Sequence, residues 1–493
     1  MAQLIFEKSR MGRKGYTLPK NDVNIDINKS IDSKFLRKQD LNFPEVSELD
    51  VMRHFIELSH MNHFIEKGFY PLGSCTMKYN PKSHEALVRH PCLMDLHPNQ
   101  PQESVQGALE IMFELQKDLS EIAGMAQTTL QPVAGAQGEF TGLKVIRAYH
   151  EHKGNHHKNV IILPDSAHGT NPASVALAGM KVVEIKSNSK GMVDLEALRS
   201  VVNENTAGFM LTNPNTLGLF ETQIEEIAKI IHSVDGLMYM DGANFNAILG
   251  IVKPGKIGFD VMHYNIHKTL STPHGGGGPG SGAVSVREDL VKFLPCPLVH
   301  CKDGEYYLSF ENEETSIGRV HSYFGNFAIN VRAYIYLKML GGKGLREVSE
   351  NAVINANYLM KKLEKTYLIP HNHTYCMHEF VASGDWQKEK CTKKNDDNII
   401  CQIKTLDIAK RLLDKGYHAP TIYFPLIVHE AIMIEPTETE SKQTLDEFIT
   451  AMLEINEECI NNPQIVLNAP TNTPVRRVDD VKAVKELNVR YQK

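Results

Sequence analysis

No run of apolar residues in this sequence reaches the length needed to cross a bilayer. The opening residues, Met1-Ala-Gln-Leu-Ile-Phe-Glu-Lys-Ser-Arg10, lack the apolar core of a secretory signal and carry an early acid, so no targeting peptide is expected. An excess of positive charge is also missing. Lysine and arginine number 53 against 59 aspartates and glutamates, a formal net charge of −6, which leaves no basic footprint for nucleic acid or an anionic membrane surface. Cysteine is sparse, eight in 493 residues and scattered, which excludes a disulfide framework and fits the reduced thiols of the cytoplasm. The one close pair, Cys296 and Cys301, has no second Cys/His pair at zinc-binding spacing, so no metal is expected. These absences leave a cytoplasmic globular protein, 42% hydrophobic and long enough for two or three domains.

What is present alternates between strand and helix patterns. Residues 1–100 are rich in prolines and polar turns. They hold a basic arm, Arg10 to Pro19, and a turn-dense loop, Phe69 to Pro81, with Cys75 and Lys78 in it. Arms of this kind embrace another domain or subunit, or line a site; Cys75 by itself reads as a packed small residue. From 101 to 345 amphipathic helix patterns separate short strand-like runs at 160–165, 181–185, 208–212, 237–241, around 261–266 and 283–286, the last rich in β-branched residues. That order predicts an α/β domain whose mostly parallel sheet is covered on both faces. A smaller α/β domain is expected over 346–475, followed by a charged peripheral tail, 476–493. The run Lys388 to Asn398 reads as a solvated surface loop.

In such a sheet, ligands bind beyond the carboxyl ends of the strands. His168, Thr212, Asp241 and Lys268 each stand at or just past one such end, and their falling on one rim is a stronger signal than any of them singly. A lone lysine before glycines is ordinarily a surface residue, an acid in Asp-Gly a turn cap, and a loop histidine a backbone partner. Glycines at 275–278, 280 and 282 follow Lys268, whereas a nucleotide-binding P-loop needs its lysine after them, so that reading fails on order. A partly buried lysine that can lose its proton suits an imine with an aldehyde cofactor. An acid on a neighbouring strand end can hold the proton of a cofactor ring nitrogen, and a histidine can stack on the ring. Small residues from Val133 to Gly138 lead into a helix start, where first-turn amides favour an anion, although Ala/Gly turns before helices are common.

Four stretches carry a resemblance. Tyr70-Pro-Leu-Gly-Ser-Cys-Thr-Met-Lys78, Ser166-Ala-His-Gly-Thr-Asn-Pro172, Asn265-Ile-His-Lys-Thr269 with the glycines up to Gly280, and Ile434-Glu-Pro-Thr-Glu-Thr-Glu440 closely resemble the glycine cleavage system P-protein family. The resemblance spans nearly the whole chain, which looks like the C-terminal half of the single-chain form, called subunit 2 where the protein is split. It implies the fold type I architecture of pyridoxal-phosphate enzymes: a large domain with a mostly parallel seven-stranded sheet, and a smaller C-terminal domain. It further implies pyridoxal 5'-phosphate held covalently on Lys268, with Asp241 on the ring nitrogen, His168 stacked on the ring and Ala243 against its other face. Ala136 and Gln137 match the phosphate-binding turn. Thr212 or Asn213 would meet the cofactor's 3-oxygen, and His267 would assist beside the lysine. The implied reaction decarboxylates glycine through a cofactor imine and passes the aminomethyl group to the lipoyl arm of the H-protein. Subunit 1 is the implied partner, in an α2β2 heterotetramer, and the 69–81 loop is the expected wall of a narrow channel. The segment 386–398 is longer than the family pattern. Two alternatives remain: an aminotransferase of the same fold using Arg319 for the substrate carboxylate, and a binding protein of this fold without turnover.

Overall fold

The computed structural model describes residues 3–39, 41–275, 280–370, 374–385 and 403–490. The glycine run from 276 and the long segment 386–398 therefore lie outside the described residues. The chain divides into two units, Met1–Lys67 with Pro470–Lys493, and Gly68–Ala469.

In the first unit, helix α1 (Glu48–His60) begins where Ser47 and Asp50 cap each other's backbone N–H groups. The arm before it is tied back by Arg10 N–H to Glu45 O at 2.9 Å and by Arg13 to Asp50 at 3.0 Å. Large apolar side chains stand exposed along it, among them Met11, Leu18, Phe35 and Phe43.

The second unit is built on a seven-stranded sheet. In chain order its first part comprises helix α2 (Gln106–Ala123), β1 (Gln127–Thr129), α3 (Gly135–His152), β2 (Val160–Pro164), α4 (Thr170–Leu177), β3 (Lys181–Ile185), α5 (Leu195–Val201), β4 (Thr206–Thr212), α6 (Ile224–His232), β5 (Leu237–Gly242), β6 (Val261–Asn265) and β7 (Gly282–Val286). The strand order is β1-β7-β6-β5-β4-β2-β3; β6, β5, β4, β2 and β3 run parallel, and β7 and β1 antiparallel to their neighbours. The sheet is thus the mostly parallel one that the alternation predicts. Its central strands are buried along their whole length, while edge strand β3 presents Lys181 and Glu184 to solvent.

Side-chain alternation sends successive residues to opposite faces. Met238 and Met240 of β5 join one core with Leu115 of α2 and Ile227 and Ile231 of α6; Leu237 and Tyr239 join the other with Val145 of α3 and Val175 of α4. Helix α3 lies close enough to the sheet that a Cβ at Gly142 would come within 2.3 Å of the Tyr239 ring and 2.8 Å of Val261. Gly142→Ala is expected to destabilise the protein by about 1–3 kcal/mol through overpacking. An unchanged denaturant midpoint in that variant would show that the helix can back away.

After the hairpin β8 (Leu298–Lys302) and β9 (Glu305–Ser309), the helical stretch α7 (Phe327–Leu363) is interrupted at Gly341, whose φ of 58° breaks the helix where the sequence places a stop. The smaller sheet follows, with order β10 (Phe380–Ser383), β12 (Ala431–Ile434), β11 (Thr421–Ile422), all antiparallel. Helices α8 (Thr405–Asp414) and α9 (Lys442–Asn461), with the second half of α7, cover it through Leu359, Leu412, Phe448 and Met452. No helix among the described residues is long and apolar enough to cross a membrane.

Candidate active site

Strand register sets the site. Thr212 of β4 pairs with Asp241 of β5, and Asp241 with His263 of β6, so the three stand side by side near the carboxyl ends of adjacent strands. Lys268 sits one helical turn beyond β6, in Ile266–Thr269, and His168 lies in the connection between β2 and α4. A cleft of about 460 Å³ opens at this rim; Ala136, Glu139, His168, Asp241, Ala243, His267 and Lys268 line it, with Asn265 and His274.

Asp241 is wholly buried. Its Oδ2 accepts the Asn171 amide at 2.9 Å and its Oδ1 accepts Ala243 N–H at 2.8 Å, with His263 Nε2 3.3 Å from Oδ1. Burial alone would raise this carboxyl, but His263, Asn171 and Ala243 outweigh it and hold the group below the usual carboxylate range. It is an ionised acid on the cleft floor. Glu139 of α3 shows the opposite balance. Burial and the nearby charge of Asp241 push it up to about 7, despite hydroxyls donated by Thr170 at 2.6 Å and Ser174 at 2.8 Å. The pKa values of these two neighbouring acids are therefore displaced in opposite directions.

His168 Nδ1 lies 3.0 Å from the Thr170 hydroxyl, and burial keeps the ring's pKa below its ordinary value. His267 is pushed down to about 4 by burial and by the adjacent Lys268 and His274, so it is neutral. Lys268, 8% exposed, donates from Nζ to the Ser74 carbonyl at 2.8 Å. That contact places the 69–81 loop against the lysine, where the channel wall is expected. The loop is pinned to the smaller sheet: Leu72 bridges Ile434, and a Cβ at Gly73 would lie 2.6 Å from Met433 O.

At the turn before α3, Ala134 at the N-cap offers no side-chain cap, so the first-turn N–H groups gain no side-chain partner there. A Cβ at Gly135 would sit 1.9 Å from Asn265 Oδ1, so glycine is what lets the helix start press against the end of β6. Gln137 does not line the cleft. Its side chain accepts Val133 N–H and donates to Val320 O, both at 2.7 Å, and so braces the turn. Thr212 and Asn213 also stand outside the lining, although Thr212 Oγ1 and Asn213 Nδ2 are buried without a partner. Arg319 is exposed and borders a separate hollow with Asn99 and His321.

Sequence reasoning missed Glu139, Asn171, His263, His274 and Ser74 as site residues. Asn171 and Ser74 lie inside motifs that were legible. His263 is betrayed only by being a polar residue in a strand otherwise filled with Val261, Met262 and Tyr264.

The cleft meets the needs of pyridoxal phosphate: a buried amine, an ionised carboxylate for a ring nitrogen, and an uncapped helix start for a phosphate. Comparison with known proteins agrees. Residues 17–408 match the family described as "Glycine cleavage system P-protein", and residues 348–474 match "Glycine dehydrogenase, C-terminal domain". A Chloroherpeton thalassium protein called "Probable glycine dehydrogenase (decarboxylating) subunit 2" is 56% identical, covering 99% of this chain and 97% of its own length. A Pyrococcus abyssi protein of the same name is 57% identical, covering 98% and 94%. Among solved structures, an inhibitor-bound glycine decarboxylase (P-protein) of the glycine cleavage system superposes with a TM-score of 0.69 at 20% identity, covering 87% of this chain and 94% of its own. A Lactobacillus brevis glutamate decarboxylase gives 0.63 at 13% identity, covering 86% and 96%. The structural likenesses speak to fold alone, and that fold is the fold type I of pyridoxal-phosphate enzymes.

Proposed function

The chain belongs to the glycine cleavage system P-protein family, and from that premise we propose that it is subunit 2, which decarboxylates glycine and hands the aminomethyl group to the lipoyl arm of the H-protein. The observation that carries this reading is the cleft in which Lys268, Asp241 and His168 meet the uncapped start of α3.

Pyridoxal phosphate, when bound, supplies an electron sink for the pair left behind as a carboxylate departs as carbon dioxide. The chain's own residues do the rest. Lys268 Nζ is the amine that would hold the cofactor's aldehyde carbon, and a hydrogen bond to Ser74 O gives it a resting place when it is free. Asp241, kept ionised, would hold a proton on the ring nitrogen; its two fixed partners prevent it from turning away. The turn at Ala136 would receive the phosphate, with the Gln137 side chain as its brace. His168 and Ala243 would hold the ring, and Thr212 Oγ1 or Asn213 Nδ2, buried without a partner behind the lining, would be the candidates to meet the 3-oxygen. His267, neutral beside Lys268, adds no competing charge. Glycine needs little room, and the 69–81 loop keeps water from the amine while leaving a channel for the lipoyl arm.

Subunit 1 is proposed as the partner, in an α2β2 assembly, and the exposed apolar side chains of the N-terminal unit support such an interface. The described cysteines are all free thiols, which supports a cytoplasmic location. Against an aminotransferase stands the position of Arg319, away from the residues that line the cleft.

The test is exchange of labelled bicarbonate into the glycine carboxyl with lipoylated H-protein. Exchange is expected with subunit 1 present. Transfer of the glycine amino group to a keto acid, with no exchange, would overturn the reading.

A further inference from the structure

Three ionisable side chains lie wholly buried where the smaller sheet meets the loop. His378 and Glu379 immediately precede β10 and Glu435 immediately follows β12. One ligand-type atom from each lies within 4.8 Å of the other two. Glu379 accepts Ser74 N–H at 2.7 Å through Oε2 and the Asn244 amide at 3.0 Å through Oε1. Glu435 accepts the Thr76 hydroxyl at 2.5 Å through Oε1, but its Oε2 has no partner, nor does either ring nitrogen of His378. His378 Nε2 stands 3.8 Å from Glu435 Oε1, beyond hydrogen-bond reach.

Two carboxylates this close, removed from water, cannot both be ionised unless a cation meets them. His378 is not that cation, because burial and the charge of Lys268 push it down to about 3. Cys75 in the loop is an uncharged thiol, pushed up to about 11 by burial, and Glu438 beyond β12 is met by Lys78. Lys268, in the turn after β6, is the cation whose charge reaches Glu379, Glu435 and His378 alike. The backbone of a single residue joins it to the pair. Lys268 Nζ donates to Ser74 O, and Ser74 N–H donates to Glu379. Ser74 holds a φ of 60°, a left-handed conformation that a serine keeps only where its surroundings impose it.

We propose that Glu379 and Glu435 share one proton, and that the single negative charge left on the pair is the counter-charge that Lys268 meets across the Ser74 backbone. Burial supports the shared proton, raising Glu379 to about 7 and Glu435 well above its usual range. The pair touches no reacting atom and acts through the Ser74 backbone, so these are positioning residues. The charge holds a freed Lys268 on Ser74 O. This inference rests on the proposed role of Lys268 as the reacting amine.

The test uses the full chain freed of cofactor, so that glycine turnover is not the readout. Infrared spectra at pH 7, taken as the difference between the unaltered protein and Glu435→Gln, should show one carboxylic acid band lost in the variant, while the contribution of Glu139 cancels. Competitive chemical labelling of Lys268 at pH 7 should proceed at the same rate in Glu435→Gln, since one charge remains on Glu379. The double variant Glu379→Gln with Glu435→Gln should speed that labelling about tenfold. A difference spectrum without a lost acid band, or a tenfold change in labelling from the single variant, would overturn the shared proton. So would one tightly held divalent metal per chain by elemental analysis, since both acids would then be ionised ligands. A chain that shows the lost band and the faster labelling but fails to exchange bicarbonate would leave this inference standing and remove the proposed reaction.

Discussion

Lys268→Ala is expected to lose the cofactor's imine absorption and to cut glycine-dependent bicarbonate exchange by more than about 10³-fold, within the range seen when a positioned proton-transfer group is removed. The cause is local. Lys268 Nζ makes one hydrogen bond, to Ser74 O, and it lines the cleft beside Asp241 and His168. Only that bond is lost from the fold, a cost of about 1.5–3 kcal/mol at most for a charged donor, so the variant should still unfold cooperatively. Borohydride treatment of the cofactor-loaded protein separates this from a trivial loss of structure. It should fix the cofactor to Lys268 in the unaltered chain and to no residue in the variant. Cofactor fixed elsewhere, with turnover intact, would remove Lys268 from the chemistry.

Lys78→Met is expected to have the largest effect on stability, about 3–5 kcal/mol, because it strands a buried charge. Lys78 Nζ lies 2.7 Å from Glu438, 2.9 Å from Asn246 Oδ1 and 3.1 Å from the Tyr336 hydroxyl, with its side chain 1% exposed. Burial works against the ammonium, but Glu438 and Tyr336 outweigh it and hold its pKa above the ordinary value. Methionine keeps the stem and deletes the charge, leaving Glu438 with the Asn246 amide and the Tyr336 hydroxyl but no cation. Replacing Glu438 by leucine in the same chain should recover most of the loss, since removing both charges also removes the uncompensated one. A single variant whose urea midpoint does not move would show that Glu438 reaches water. Loss of this anchor should also loosen the loop that carries Ser74, and activity should fall before the protein unfolds.

His168, Asp241 and Lys268 were legible because each follows an apolar run in a chain whose strand–helix alternation makes the carboxyl rim the binding edge. The sheet itself was legible for the same reason: apolar runs from 160, 208, 237 and 261 had to be buried on both faces. Gln137 was legible only as part of its turn. Its motif lies at the helix start, but the side chain spans from Val133 to Val320, and nothing local in the sequence says which way a glutamine turns. Glu139, His263 and Asn171 gather around Asp241 only because parallel register aligns β5 with β6 and packs α3 and α4 on the same edge.

The sequence by itself determined the family, the parallel sheet and the amine and acid at its rim, since strand periodicity, turn residues and motif order are local properties of the chain. Tertiary structure alone decided what surrounds Lys268. Ser74 and Glu379 bond across 305 residues of chain, and Thr76 and Glu435 across 359. Long-range closure of that kind depends on how two sheets dock, and the protonation of a buried acid depends in turn on which charges that docking brings near and how much water it expels.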